Sequence, residues 1–369
     1  MSRIAFLLSK DPETASGGDV TMARLLVSVV REQHDVTLVC LSPDVAETTC
    51  GPGLVRVPKP PVSVPALALR SAVKRRSLVH VRYDTDAFVE AIDGLETDLV
   101  VADHSYMVEP FLRSSLARGG TRLLLNTVNS ESIVWSRTRG PLGRLEGHRI
   151  LRDELRVARA AHAVGTYDEV EAAFYRDRGV PLAQWLQLTL RPGAPLDVES
   201  TPPRLVFFGD RRWPPNQEAY ETIIRWWPAI SKGLDDAELY VVGMPGSTLV
   251  KSQDPSIHEL GFVEDLDALL ATCRALAAPV RTGGGVRVKI LDAASRGLPV
   301  VATSAAVGSL ADIFGIQACD SEDAFVARCR LLLTDAAVAA AEGKRVHAAN
   351  AAHWHEGRPQ ATVTKWLNS

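Results

Sequence analysis

Cysteine is scarce in this chain: five in 369 residues (Cys40, Cys50, Cys273, Cys319 and Cys329), odd in number and never in Cys-x-x-Cys spacing. That excludes a disulfide scaffold and a thiolate zinc site, and it fits a reducing compartment. Long hydrophobic runs are also missing. The opening stretch, MSRIAFLLSKDPETASGG, holds only residues 4–8 as an apolar run, where a secretory core needs about 7–15 residues and a membrane span about 20. No targeting or spanning segment is therefore expected, and the expected location is cytoplasmic. Neither sign of charge dominates: 41 Lys and Arg against 44 Asp and Glu leave a net charge of −3. Whole-surface attraction to nucleic acid is excluded on that balance. Low-complexity tracts and short repeats are lacking too. What is present is 46% hydrophobic and 23% charged residues, enough for cores of ordinary size, and a length that at about 150 residues per domain implies two domains.

Short β-branched apolar runs alternate with helical patterns from end to end, which predicts α/β architecture with parallel sheets covered by helices. Strands are expected at 4–8, 36–40, 99–102, 122–125 and 163–164, with helices over 20–31 and 145–160. Breakers then cluster in Arg191-Pro-Gly-Ala-Pro195 and Pro202-Pro203, a composition that suits an interdomain linker. The pattern restarts with strands at 204–208, 238–242, 275–278 and 300–302 and helices over 217–230 and 286–296. The Ala-rich stretch 335–352 reads as a plain helix. Two consecutive doubly wound domains follow: 1–190, a linker over 191–203, and 204–350. Residues 351–369 carry a last helix, at about 357–367, that crosses back to the first domain.

In open parallel sheets ligands sit beyond the carboxyl ends of strands, where helix N-termini offer unpaired N–H groups. Four segments fall there. Ser16-Gly17-Gly18-Asp19 follows the first strand, and a glycine pair lets backbone approach an anion, although an ordinary loop with an Asp cap reads the same way. Gly209-Asp210-Arg211-Arg212-Trp213 follows the first strand of the second domain, and guanidinium forks suit a diphosphate; a solvated loop with paired arginines is the plainer reading. Gly261-Phe262-Val263-Glu264-Asp265-Leu266 is a short strand end before an acidic helix start, suited to a nucleobase edge. The strongest is Arg281-Thr-Gly283-Gly284-Gly285-Val286-Arg287-Val-Lys289-Ile-Leu-Asp292. Its glycines free N–H groups for phosphate, Arg287 and Lys289 add positive charge at a helix start, and Asp292 can accept from ribose hydroxyls. No Lys-Ser or Lys-Thr follows the glycines, so it is not a Walker A loop.

Residues 278–303, APVRTGGGVRVKILDAASRGLPVVAT, resemble the signature of retaining GT-B glycosyltransferases of family 4, in the bacterial branch with a GGGVRxKILEA-like donor loop. The resemblance extends in order through Gly17-Gly18, DLVVADH (98–104), NSES (129–132) with Trp135 and Arg137, FFGDRRWPPN (207–216), Val241-Val-Gly243, GFVEDL (261–266) and His353-Trp354. It implies two Rossmann-like domains with a cleft between them, the first for the acceptor and the second for a nucleotide-sugar donor carrying UDP or GDP. By position, Arg212 (or Arg211) and Lys289 would neutralise the departing diphosphate. Gly209 and Gly283–Val286 would offer it backbone, Arg287 further charge, and Asp292 would bind ribose. Phe262 and Val263 would line the base pocket, and Gly17 and Gly18 would close on the phosphates. Such enzymes usually work without a divalent metal, and no Asp-x-Asp pair stands at a strand end; Asp84-Thr-Asp86 reads as a helix cap.

The family's Glu-x7-Glu becomes Gly284 and Asp292, which opens the question of the donor sugar. The histidine often found after the fifth strand is replaced by Asn126-Thr-Val-Asn129, leaving His104 as the catalytic histidine candidate. A lysine usual after the Arg of the second domain's first loop is missing, and Lys289 is the residue to supply its charge. Two rivals stay open: a nucleotide-sugar epimerase, and a catalytically silent nucleotide-sugar-binding protein. Residues 48–83 contain no acid but seven cations: Arg56, Lys59, Arg70, Lys74, Arg75, Arg76 and Arg82. With Leu67, Leu69 and Val73 nearby, residues 56–82 read as a peripheral contact with anionic lipid at the inner membrane face, as a guide for an anionic acceptor, or as a solvated basic face.

Overall fold

A computed structural model describes residues 1–246, 252–282 and 285–369. The chain divides into two compact units, one formed by Met1–Leu188 with Pro359–Ser369 and the other by Thr189–Arg358. Each is built on a doubly wound parallel sheet, as the alternation of runs implies.

The first unit's sheet contains β1 (Arg3–Leu8), β2 (Asp35–Ser42), β3 (Thr49–Gly51), β4 (Leu54–Pro58), β5 (Leu99–Asp103), β6 (Arg122–Asn126), β7 (Ala163–Thr166) and β8 (Ala183–Trp185). Their order is β3-β4-β2-β1-β5-β6-β7-β8, with only β3 and β4 antiparallel. Residues Ile4 to Leu8 are all buried, as expected of a strand covered on both faces. The order reverses at β1, which pairs with β2 on one side and β5 on the other. The final helix, Arg358–Leu367, docks through the buried Trp366. Gly165 of β7 makes that docking fit, since a Cβ there would stand 3.2 Å from the indole and 2.7 Å from Leu186.

The second unit's sheet contains β9 (Arg204–Phe208), β10 (Glu238–Val242), β11 (Ile257–Gly261), β12 (Ala275–Ala278) and β13 (Val300–Ala302), in the order β11-β10-β9-β12-β13 and parallel throughout. Here the order reverses at β9, between β10 and β12. The helix Pro214–Ser231 buries Trp226 and Trp227. The residues expected as a linker are instead packed into this unit. Gly193 N–H donates to the Ser295 carbonyl at 2.9 Å, Leu196 N–H to Arg296 at 2.9 Å, and the Asn350 amide to the Leu190 carbonyl at 3.0 Å. Prolines and glycine keep residues 191–197 out of helix and strand, a short 3-10 turn follows at Val198–Ser200, and the chain still finds partners for its backbone groups. The unit also runs past residue 350, to Arg358, because the helix Ala336–His355 continues unbroken.

Candidate functional site

The point where a doubly wound sheet reverses order leaves a crevice beyond the strand ends. In the second unit that crevice lies after β9 and β12, where residues 209–213 and 279–282 emerge. Gly209 has no room for a side chain: a Cβ would stand 2.8 Å from the amide of Asn216. Asn216 belongs to the first turn of the helix Pro214–Ser231, opened by Pro214, whose missing N–H is harmless there. Its Nδ2 donates to the Asp210 carbonyl at 3.0 Å, and its Oδ1 accepts from Lys289 Nζ at 3.0 Å. The Lys289 ammonium also lies 5.4 Å from the centre of the Phe207 ring. Burial alone lowers its pKa to about 8, with no carboxylate among the described residues to oppose the shift. The two loops are thus joined through one half-buried cation.

The two arginines of the first loop differ. Arg211 is only 4% exposed; its guanidinium pairs with Glu259 of β11 at 2.8 Å and stacks 4.2 Å from the Tyr220 ring centre. Arg212 is 63% exposed and folds back on Asp210 at 2.6 Å. Arg212 is therefore the arginine free to meet a ligand, at the cost of a solvent-screened pair, whereas Arg211 braces the loop against the sheet. Arg287 is the N-cap residue of the helix Val288–Arg296, not a first-turn residue as the sequence predicts, and donates to the Gly285 carbonyl at 2.8 Å. Gly285 has φ +74°, a backbone state that favours glycine. Val286 stands between these two residues in the approach to the helix; Gly283 and Gly284 lie outside the described residues. Asp292, a turn into the helix, pairs with Arg296 at 2.9 Å, and burial raises its pKa against the pull of Arg296. Phe262 follows β11 and is 69% exposed, with Val263 half-buried beside it. Sequence reading gave Asn216, Tyr220 and Glu259 no separate role. The proline pair before Asn216 marks a helix start, but nothing local marks Glu259 as the partner of Arg211.

The first unit has its own crevice, after β1 and β5. Gly17 (φ +133°) is the N-cap of the helix Gly18–Arg31, and Asp19 in its first turn pairs with Lys10 at 2.7 Å. A small recess here is lined by Lys10, Asp19, Asp103 and His104. His104, 5% exposed, directly follows β5 with φ +81°, a strained state for a residue with a side chain. Its ring stacks on Tyr106 with centres 5.0 Å apart. Burial works to lower its pKa, but the Asp103 hydrogen bond and the charges of Asp103, Asp19 and Glu131 outweigh it, and the net shift is upward. Asp103 is held in turn by the Asn126 amide at 2.6 Å, which also donates to Tyr167 at 2.9 Å. Asn126, at the end of β6, thus serves as a brace for Asp103.

Much of the basic stretch is paired within the first unit. Arg56 pairs with Asp11 at 2.7 Å and with Glu13, Lys74 with Asp84, and Arg76 with Glu109 at 4.0 Å. Arg70 donates to the Asp84 carbonyl. These acids lie outside residues 48–83, so the charge of three of the seven cations, Arg56, Lys74 and Arg76, is offset in space. The pair Asp84 and Asp86 bind Arg113 around the cap Thr85, as a helix start should. Among the described residues no helix is long and apolar enough to cross a membrane.

Comparison with known proteins gives the class first. The whole chain overlays sucrose-phosphate synthase from Thermosynechococcus elongatus with TM-score 0.70 and 17% identity, covering 100% of this chain and 98% of that one. It overlays an α,α-trehalose-phosphate synthase (UDP-forming) from Burkholderia vietnamiensis with TM-score 0.66 and 10% identity, covering 100% of both chains. It overlays Anabaena HepE, in complex with UDP and glucose, with TM-score 0.63 and 12% identity, again covering 100% of both. The fold is that of the GT-B glycosyltransferases. Residues 202–335 match the family described as Glycosyl transferases group 1, so the second unit carries a group 1 glycosyltransferase domain. Comparison of the sequence with curated proteins gives no match.

Proposed function

We propose that this chain is a retaining glycosyltransferase of family 4 that uses a UDP- or GDP-sugar and needs no divalent metal. The observation that carries the reading is the Lys289 ammonium, held by Asn216 at the reversal point of the second sheet. A half-buried cation without a carboxylate partner among the described residues is prepared for an anionic ligand, and a diphosphate supplies one. In the transfer, the acceptor's hydroxyl oxygen bonds to the anomeric carbon while that carbon's bond to the diphosphate oxygen breaks. Bond making and breaking on one face retain the configuration, and the acceptor's proton passes to the departing diphosphate. Negative charge grows on the leaving group, which is where Lys289 and Arg212 act. Gly285, Val286 and Arg287 add backbone and charge, Asp292 holds the ribose once it yields Arg296, and Phe262 with Val263 faces the base. For the first unit, the resemblance implies Gly17 and Gly18 as phosphate residues and the strained His104 as a sugar residue.

UDP is the first nucleotide to test, because HepE is seen with UDP and the trehalose-phosphate synthase forms it. Thermal melting with UDP, GDP and dTDP, each with and without chelator, tests the reading. A ligand at a hundred times its dissociation constant stabilises by about 2.7 kcal/mol, and the rise in Tm is expected to survive chelation. No rise with any nucleoside diphosphate, or a rise restored only by magnesium or manganese, would overturn it.

A further inference from the structure

The first unit holds a cavity of about 470 Å³, within the size range of small-molecule sites. Its walls come from the helices Val64–Lys74, Leu78–Tyr83 and Glu131–Thr138 and from Tyr106. Leu67 and Val79 give it aliphatic surface. Tyr83 and Tyr106 stack with ring centres 4.2 Å apart, and Trp135 carries the Arg139 guanidinium 4.0 Å above its ring. Its charged groups are Arg82, Arg139 and Glu131. Arg82 presents a buried Nε with no hydrogen-bond partner, and Glu131 lines the same space. The inner wall, Tyr106, is the ring that stacks on His104.

We infer that this cavity is the acceptor subsite, and that it takes a flat, apolar, hydroxyl-bearing small molecule in place of a sugar or sugar phosphate. The inference rests on the transfer reading above and narrows it. A pyranose has a hydroxyl on almost every carbon, and burying those against leucine, valine and aromatic faces leaves them without partners. An aromatic body instead matches the tyrosine and tryptophan faces. One hydroxyl can accept from the Arg82 Nε–H and donate to the Glu131 carboxylate, which answers the unpaired Nε.

The test uses the full chain with 2-naphthol as probe, methyl α-glucoside as the polar control and phosphatidylglycerol vesicles as the bilayer control. Calorimetric titration should show saturable binding of 2-naphthol at one site and none of the glucoside. Leu67→Trp, which fills the mouth from a half-buried helix position, should weaken 2-naphthol by about tenfold or more. Trp135→Ala should weaken it as well, and UDP stabilisation should be unchanged in both. Equal binding by wild type and Leu67→Trp overturns the inference, as does glucoside binding in place of naphthol. Vesicle binding that depends on Leu67 without a saturable naphthol site also overturns it, and assigns the apolar wall to a bilayer. Failure of UDP to stabilise the protein would count against transfer itself, and would leave the naphthol result to decide the cavity separately.

Discussion

Both units reverse strand order at a central strand, β1 in one and β9 in the other, and the two crevices are furnished differently. The one after β9 and β12 gathers Arg211, Arg212, Arg287 and Lys289; Arg211 and Arg212 are paired with Glu259 and Asp210, while Lys289 has no carboxylate partner among the described residues. The one after β1 and β5 alternates signs, with Lys10 on Asp19 and His104 on Asp103. The same reversal of strand order thus offers one place with a cation left for an anion and another whose charges are already paired. The economy of the arrangement lies in Lys289, whose ammonium is desolvated in advance and therefore gains most when negative charge arrives.

The largest expected effect tests the cationic crevice. Lys289→Ala should fold normally and lose roughly 2.7–4 kcal/mol of transition-state stabilisation, a hundredfold or more in turnover. Near-normal turnover in the folded variant would erase the contrast between the crevices. The pH dependence sharpens the point. Its pKa is lowered to about 8, and diphosphate binding favours the protonated form. UDP affinity should therefore weaken as pH rises through about 8 in the wild type and show no such step in Lys289→Ala. Titration of UDP by calorimetry across that range reads both.

How much of this was legible in the sequence depends on where a residue sits in its sheet. The central strands β1, β5, β9 and β12 are buried apolar runs, and each was visible together with the loop that follows it. Towards the sheet edges reading was uneven: β7, β10 and the edge strand β13 were read, others were not. β3, β4 and β8 went unread, and only the Gly261 end of β11 was recognised. β8 is Ala-Gln-Trp, β4 carries Arg56 and ends on Pro58, and β11 includes His258 and Glu259. Strands covered on fewer sides need fewer apolar residues, so their signal is weak. The candidate loops were legible from glycines and cations, but their pairing was not. Glu259 lies 48 positions from Arg211 and Asn216 lies 73 from Lys289, separations that only the sheet order closes.

The mixed-charge crevice is tested by His104, with a smaller expected effect. Loss of one hydrogen bond to a bound sugar costs about 1–2 kcal/mol, roughly tenfold in turnover. At φ +81° a glycine is unstrained whereas an alanine is not. His104→Gly should therefore melt above His104→Ala, while both lose transfer to a similar extent. Equal turnover to wild type in both variants, measured with saturating donor, would reduce His104 to a structural residue and leave the cationic crevice alone in the chemistry.

The smallest effect on transfer is expected at Glu154, which lies beneath the segment entering the helix Glu131–Thr138. It is fully enclosed and accepts from Ser132 Oγ at 2.7 Å and from the Ser132 N–H at 3.3 Å. Burial, partly opposed by these bonds and reinforced by Glu131 and Glu171, raises its pKa from 4.5 to about 8. The folded state therefore holds a proton that the unfolded chain has released above about pH 4.5. Its contribution to stability is complete below that pH and is lost progressively as pH rises through about 8. Glu154→Gln mimics the protonated acid and titrates nowhere. Its melting temperature should match wild type near pH 4.5 and exceed it by a growing margin towards pH 8, with turnover changed little. An equal dependence of melting temperature on pH in the two proteins would show that Glu154 is ionised in the fold.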